Sequence, residues 1–491
     1  MNRPNVLIIK SDQHNARCLG VNGHKQVKTP NLDELAGTGV NFTRAFAQNP
    51  ICTPSRTTYF SGQYPHNHGV YGLTGDETLP SGLPSVFSVF KANGYRTGLA
   101  GTSHVRDDWV APHCDMYREY QATDNCYDAY LAGKGLKHLR DDVDYRGKGV
   151  SHDGCASKLS FEDTNEGYCL QCFSEFLDDQ SADQPFYFEL APEHPHQNYM
   201  PAREFWEMYD DVELELPPSA DEDLSDKPPH QQRQREAQKT NTNMWLFEPK
   251  TYEAGRLRKL QGYYGCISQV DHMVGLARKK LQEKGLLENT IVLYCTDHGE
   301  FALEHGFTEK APGISYDAVT RIPFILNWPG GNLTTGTVEE FVETVDLFPT
   351  LCSLLKISPP DTLDGKDFSG MLFGDTRAIH DFVITEFPLS RVIRTKEWKL
   401  VHRPRGMFKE KEDPGELYHM TEDPWEMTNL YDDPRYAEIR EELRRTLFDW
   451  TQLNTRYGNV WPNKTPGADG KTTVADLKAM VKNEWPDVVY L

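Results

Sequence analysis

Two acidic residues each end an apolar run and have a second donor beside them: Asp12-Gln13 after VLIIKS, and Asp297-His298 after IVLYCT. In an open α/β sheet, ligands gather beyond the carboxyl ends of the strands. Two carboxylates, an amide oxygen and an imidazole meeting there suit Ca²⁺ or Mg²⁺, and the imidazole leaves room for Mn²⁺ or Zn²⁺. For these four residues alone the commoner reading is plainer: the aspartates cap the turns or helices after their strands. Cys52 adds a third group, in the run Cys52-Thr53-Pro54-Ser55-Arg56. It lies between a strand and a helix with Pro54 in its first turn, so free N–H groups and the positive dipole end favour a tetrahedral oxyanion there. Arg56, one turn on, can reach back with a fixed charge. Read alone, Cys52 is either a thiolate nucleophile at a helix start or a buried, inert cysteine.

The elements that must position these residues alternate in type. NVLIIK reads as a first strand, and Thr29-Pro30 opens a helix through NLDELAGTG with Thr29 as N-cap. NFTRAFA reads as a second strand, and a short helix starts just after Cys52 at PSRTTYF. SVFSVFKANG and the segment from Tyr252 to Lys284 read as helices; YRTGLAG, PFYFELA, IVLYC and IPFILNW read as strands. This pattern predicts an α/β fold with a large mixed, mostly parallel sheet sandwiched by helices. From about His380 the runs DFVITEF, RVIRTK, WKLVHR and ELYHM, with an amphipathic helix from Pro434 to about Trp450, predict a smaller C-terminal antiparallel sheet. The expected divisions are 1–379, 380–455 and an arm at 456–491 that holds Trp461 and Trp485. Asp141 to Asp183 reads as a surface insertion with a helix near its end, and Pro217 to Gln238 as a long loop.

Bulk composition sets the limits of function. A chain of 491 residues exceeds a single core. Its net charge of −21 argues against nucleic acid and anionic membranes. No apolar run approaches the roughly 20 residues of a membrane span. The N-terminus lacks the zones of a signal peptide, which predicts a cytoplasmic protein, or a secreted or periplasmic one had a leader been removed. Ten irregularly spaced cysteines predict reduced thiols. Cys169 and Cys172 form a lone C-x-x-C without a second pair for zinc, His66 and His68 read either as turn residues or as lining the pocket rim, and DEDLSD as a solvated acidic loop.

Cys-Thr-Pro-Ser-Arg followed by TTYFSGQYPHNHGV resembles the type I sulfatase pattern, in which Cys-X-Pro-X-Arg directs oxidation of cysteine to Cα-formylglycine. NVLIIKSDQ, TPNLDELAGTGVNFTRAFAQNPICTPSR, TDHGEFALEHGFTEK and ELYHMTEDPWEMTNLYDDP are similar to further segments of that family in the same order. The resemblance implies an alkaline-phosphatase-like fold and the hydrolysis of sulfate esters to sulfate and an alcohol or phenol. It implies one divalent metal, with Ca²⁺ first and Mg²⁺ or Mn²⁺ as alternatives. Asp12, Gln13, Asp297 and His298 would bind it together with an oxygen of the modified Cys52. Arg56 would hold the formylglycine, Lys310 and His196 would bind the substrate, and His104 would act as a base. His194, two residues from His196, is kept as a second candidate for that role.

The resemblance also implies partners: a small anionic substrate such as a sulfated sugar or an aryl or alkyl sulfate, and a formylglycine-generating enzyme. A homo-oligomer stays open. One residue departs from the family: Thr102 stands where lysine is common, in Gly101-Thr102-Ser103-His104. One positive charge is thus absent from the expected anion pocket. Some relatives that hydrolyse phosphonate monoesters and phosphodiesters share this absence and form the nearest alternative; a non-catalytic glycan-binding homologue is a distant one.

Overall fold

The computed structural model describes residues 3–456, apart from 74–78, 81, 120–125, 141–151, 182, 242–243 and 312. In chain order its strands are β1 (Asn5–Ser11), β2 (Val40–Phe42), β3 (Ala45–Phe46), β4 (Arg96–Gly101), β5 (Met116–Glu119), β6 (Phe186–Ala191) and β7 (Thr290–Thr296). There follow β8 (Arg321–Ile322), β9 (Phe324–Asn327), β10 (Gly336–Val338), β11 (Val342–Glu343), β12 (Phe382–Phe387), β13 (Ser390–Thr395), β14 (Trp398–His402) and β15 (Glu416–His419). An eight-stranded sheet has the order β10-β2-β9-β7-β1-β6-β4-β5, parallel throughout except where β9 pairs antiparallel with β7 and β2. A short sheet β11-β3-β8 and an antiparallel sheet β12-β13-β14-β15 complete the strands. The expected α/β class with a mixed, mostly parallel sheet and a smaller antiparallel sheet is what is found.

The central strands are apolar on both faces because helices cover both. Val6 and Ile8 of β1 face a core shared with Tyr59, Phe60, Phe87, Phe90 and Phe348, whereas Leu7 and Ile9 face Phe173, Phe176, Val270 and Met273. The second group comes largely from helices Asn165–Asp178 and Tyr252–Glu283. All four β1 side chains are fully buried, each contributing roughly 1.5–3 kcal/mol of hydrophobic stabilisation.

Four local expectations are corrected. NFTRAFA is not one strand: it divides into β2 and β3, which join different sheets. The Pro217–Gln238 segment is a loop only in its first part; Pro229 at N1 starts a helix, Pro229–Thr240, whose Gln231 and Gln238 are buried by hydrogen bonding. The expected surface insertion is partly interior: His152, Asp153, Leu159 and Phe161 are buried, while 141–151 lie outside the described residues. The acidic run at 221–226 is not simply solvated. Glu222 bonds to His305 Nδ1 at 2.7 Å, and burial pushes its carboxyl up to about 8.

Thr29 does precede the helix Pro30–Gly37, but its hydroxyl donates to Asp33 at 3.1 Å and accepts from Gly20 rather than capping the first turn. The C-terminal helix is Ala437–Asn454, and the expected arm with Trp461 and Trp485 lies outside the described residues. All ten cysteines are free thiols. Among the described residues no helix is long and apolar enough to cross a membrane.

Candidate functional site

The site is assembled by strand register. Parallel pairing of β1 with β7 sets Ser11 opposite Thr296, so the next residues, Asp12 and Asp297, leave the sheet side by side. On the other side of β1, β6 and β4 end together with Ala191 opposite Gly101. These ends launch the turns that carry His196 and, through Gly101, Thr102 and His104. Gly101 has φ +113°, and a Cβ there would lie 2.0 Å from the Ala191 carbonyl oxygen, so only glycine permits this crossing.

Cys52 enters as the first residue of the helix Cys52–Ser61, two positions before the expected start at Pro54, which makes it part of the helix N-terminus itself. The ligand atoms of Asp12, Cys52, Asp297 and His298 lie within 4.8 Å of one another, and all four residues are buried. Cys52 Sγ is 3.1 Å from His298 Nε2 and 3.7 Å from Asp12 Oδ1. His298 Nδ1 lies 2.8 Å from the Gly299 carbonyl, which fixes the proton on Nδ1 and turns the Nε2 lone pair inward. Burial, with the Asp12 charge next, pushes the Cys52 thiol well above its ordinary range. Burial and the Asp12 charge thus favour the thiol of Cys52 over its thiolate.

Arg56, with no exposed surface, spans the two carboxylates: Nε donates to Asp297 Oδ2 at 2.8 Å and Nη2 to Asp12 Oδ2 at 2.9 Å. Nη1 donates to the Thr102 carbonyl. This fork occupies one oxygen of each aspartate and leaves both Oδ1 atoms towards His298, each 3.8 Å from Nε2. Burial opposes ionisation of Asp12, but His196, His104 and Arg56 hold it well below the ordinary carboxylate range. For Asp297, burial and Asp12 oppose ionisation, and His298 and Arg56 overcome them.

The remaining sequence candidates divide. Lys310 Nζ donates to Gln13 Oε1 at 2.7 Å and lies 3.2 Å from His196 Nε2. His196 Nδ1 is 2.7 Å from the Gln197 carbonyl, so Nδ1 carries the proton and Nε2 accepts from Lys310. Burial works against the Lys310 charge, but the carboxylates of Glu309 and Asp12 keep its ammonium above its ordinary range. His104 Nδ1 stands 3.6 Å from Asp12 Oδ2. That nitrogen and Thr102 Oγ1 are buried without a hydrogen-bond partner among the described residues. His194 is placed elsewhere: Glu166 and Gln269 engage its Nδ1 at 3.3 and 3.2 Å. Gln13 reaches the cluster through its backbone N–H, which donates to Asp297 Oδ1 at 3.1 Å, while its side-chain oxygen faces Lys310. His66 and His68 hold structure, the first on Glu386 at 2.5 Å and the second on Thr58 at 2.9 Å.

Sequence reasoning missed Glu300. Its buried carboxylate receives Lys259 Nζ at 2.7 Å, Glu309 N–H at 2.5 Å and Tyr199 OH at 3.2 Å, together with the Gln13 side-chain amide. It therefore ties the turn of Gln13 to the turn of Lys310. The available signal was a third acid two residues after His298 in TDHGE. Ser55 was quoted only as part of a motif, yet its hydroxyl donates to the Asp297 carbonyl at 2.6 Å and docks the helix Cys52–Ser61 against the end of β7.

Buried imidazoles make the fold acid-sensitive. Burial lowers His14 and His196 to about 4 and His68 to about 3, from an ordinary value near 6.5. Below pH 6.5 the unfolded chain takes up these protons and the folded chain does not. The stability is thus fully present above about pH 6.5 and is lost as pH falls towards 4. The expected result is a melting temperature that declines across this window, with a shallower slope in His68→Gln; an unchanged slope in that variant would remove His68 from the account.

A family model described as Sulfatase matches residues 4–357, and one described as N-sulphoglucosamine sulphohydrolase, C-terminal, matches 303–452. An ulvan-active sulfatase of Formosa agariphila is 28% identical, with 84% of this chain and 76% of that protein covered. The structure of BT4656 in complex with its substrate D-glucosamine-2-N,6-O-disulfate superposes with a TM-score of 0.74 at 19% identity, covering 92% of this chain and 98% of that one. The phosphonate monoester hydrolase SpPMH from Silicibacter pomeroyi superposes with a TM-score of 0.79 at 20% identity, covering 96% and 99%. At these identities the two structures establish a shared fold.

Proposed function

The chain belongs to the sulfatase family and is a sulfuric ester hydrolase; from that premise we propose that it hydrolyses sulfated sugars through a formylglycine made from Cys52, with one divalent metal. The observation that carries this reading is the buried convergence of Asp12, Cys52, Asp297 and His298. Its donor set fits the metal: Arg56 takes Oδ2 of each aspartate, and Asp12 Oδ1, Asp297 Oδ1 (which also accepts from the backbone N–H groups of Gln13 and His298) and His298 Nε2 face one another. With an oxygen in place of sulfur at position 52 the set is dominated by hard donors, which suits Ca²⁺ and, next, Mg²⁺ or Mn²⁺. The Gln13 side chain would join by turning its oxygen from Lys310.

A hydrated formylglycine supplies one hydroxyl for attack on sulfur and a second from which a base can release sulfate, and the metal supplies positive charge beside it. The chain's own residues supply the rest. Arg56 holds Asp12 and Asp297 in register and adds fixed charge below position 52. Lys310 is the proton donor to the departing ester oxygen, because His196 Nε2 is an acceptor and serves to orient that ammonium. His104, 3.6 Å from Asp12, is the base we assign to take the proton of the second hydroxyl. Formation of the aldehyde requires an oxidising maturation enzyme as a partner.

The sugar class is supported by the disulfated glucosamine in the BT4656 complex and by the N-sulphoglucosamine sulphohydrolase match. Thr102 favours a second reading, a phosphonate monoester or phosphodiester hydrolase, and the likeness to SpPMH accords with it. The retained Pro54-Ser55-Arg56 favours sulfate. Measuring kcat/KM on nitrophenyl sulfate and on a nitrophenyl phosphonate monoester separates the two. We expect sulfate to be preferred, with activity lost on chelation and regained with Ca²⁺; a tenfold or greater preference for phosphonate would overturn the sulfate assignment.

A further inference from the structure

Beside Lys310 the structure holds a cavity of about 360 Å³, at the small end of the range of about 300–1,000 Å³ usual for ligand sites. Ile51, which precedes Cys52, and Lys310 both line it, so the cavity begins where the sulfate group would be held. The helix Pro229–Thr240 provides Gln234 and Ala237, and Asn241 follows directly after. His152 and Glu309 line it as well. Leu73, a large apolar side chain that is 58% exposed, borders the same space.

Among the described lining residues the charged groups are Lys310 and Glu309. Glu309 is held firmly: its N–H bonds to Glu300 at 2.5 Å and its Oε1 accepts from Gln197 at 2.6 Å. Oε1 is also 3.6 Å from Lys310 Nζ, and Oε2 is 3.6 Å from His152 Nε2. Burial lowers the pKa of His152, and although burial also opposes ionisation of Glu309, the Lys310 charge holds its carboxyl below the ordinary carboxylate range. In the free protein Lys310 and Glu309 compensate each other. A sulfate ester held at Lys310 would leave the Glu309 charge facing the alcohol part of the substrate.

We propose that this cavity seats the alcohol part of the ester and that Glu309 makes it a charge filter, admitting an uncharged, hydroxyl-bearing ring and disfavouring one with a second sulfate or a carboxylate. The amides and the imidazole offer donors and acceptors to hydroxyls, and Ile51 and Leu73 offer an apolar surface to the C–H face of a ring. Two anions confined to a space this small, with no further lining cation among the described residues, repel far more strongly than in bulk water. The inference rests on the sulfatase reading above and narrows its substrate class.

The test uses the mature, metal-loaded enzyme with a sugar monosulfate that bears no other charge, the same sugar with a second sulfate, and nitrophenyl sulfate as a control. Wild type should favour the monosulfate by about tenfold or more in kcat/KM. Glu309→Gln should shrink that ratio severalfold, chiefly through KM for the disulfate. Ala237→Lys, at an exposed helix position, should shrink it likewise without repacking. A wild-type ratio near one, or a ratio that neither substitution moves, overturns the charge filter. Turnover of nitrophenyl sulfate but of neither sugar overturns the assignment of the cavity. Failure on every sulfate ester overturns the underlying sulfatase reading instead.

Discussion

Cys52→Ala is expected to lower kcat by about 10⁴-fold or more, the scale seen when an enzyme loses its nucleophile. Its melting temperature should change little, because a thiol-to-methyl change in a packed site alters little volume. Cys52→Ser sharpens the test. One hydroxyl can attack sulfur but offers no second hydroxyl for release, so a single equivalent of alcohol should appear in a burst before turnover stalls. Peptide mass spectrometry across Cys52 of active wild type should show an aldehyde in place of the thiol. Steady turnover by Cys52→Ala, or an intact thiol in active protein, would remove formylglycine from the mechanism.

Arg56→Ala should have the second-largest effect. The fork from Arg56 to Asp12 and Asp297 is fully buried, and removing one partner of such a network costs roughly 3–5 kcal/mol because uncompensated carboxylates remain. Activity should fall by at least about 10³-fold, since the charge facing the developing oxyanion and the alignment of both aspartates are lost together. Arg56→Lys keeps the charge but not the fork, so it should recover part of the stability and little of the rate. If Asp12 and Asp297 do bind a cation, added Ca²⁺ should raise the melting temperature of Arg56→Ala more than that of wild type. Equal shifts would argue against an ion between these carboxylates.

The legible part of this site was whatever depends on chain-local chemistry. Asp12 and Asp297 stand out because each follows an apolar strand, and the parallel register of β1 and β7 then brings them together. Cys52 and Arg56 were legible as one helical turn. The choice between His194 and His196 was not, because it turns on Glu166, from a helix whose packing leaves no local mark. Glu300 was obscured for the opposite reason: its partners come from separate parts of the chain, and no spacing links Gln13, Tyr199, Lys259 and Glu309. The helix Pro229–Thr240 was read as a loop because its sequence is almost wholly polar. Its buried face is made of glutamines satisfied by hydrogen bonds, which hydrophobic periodicity does not detect.

The Glu300 hub limits how this enzyme can change. Because the Gln13 turn and the Lys310 turn are fastened to the same carboxylate, a substitution there would disturb both turns at once. Neither can drift alone. If the cavity seats the alcohol part of the ester as proposed, variation in what the enzyme accepts would accumulate on the exposed positions of the helix Pro229–Thr240 and around Leu73, where a residue can be exchanged without touching the hub. Divergence among relatives should be read there first, with the chemistry inherited as a block and the taste for substrates rewritten along one helix face.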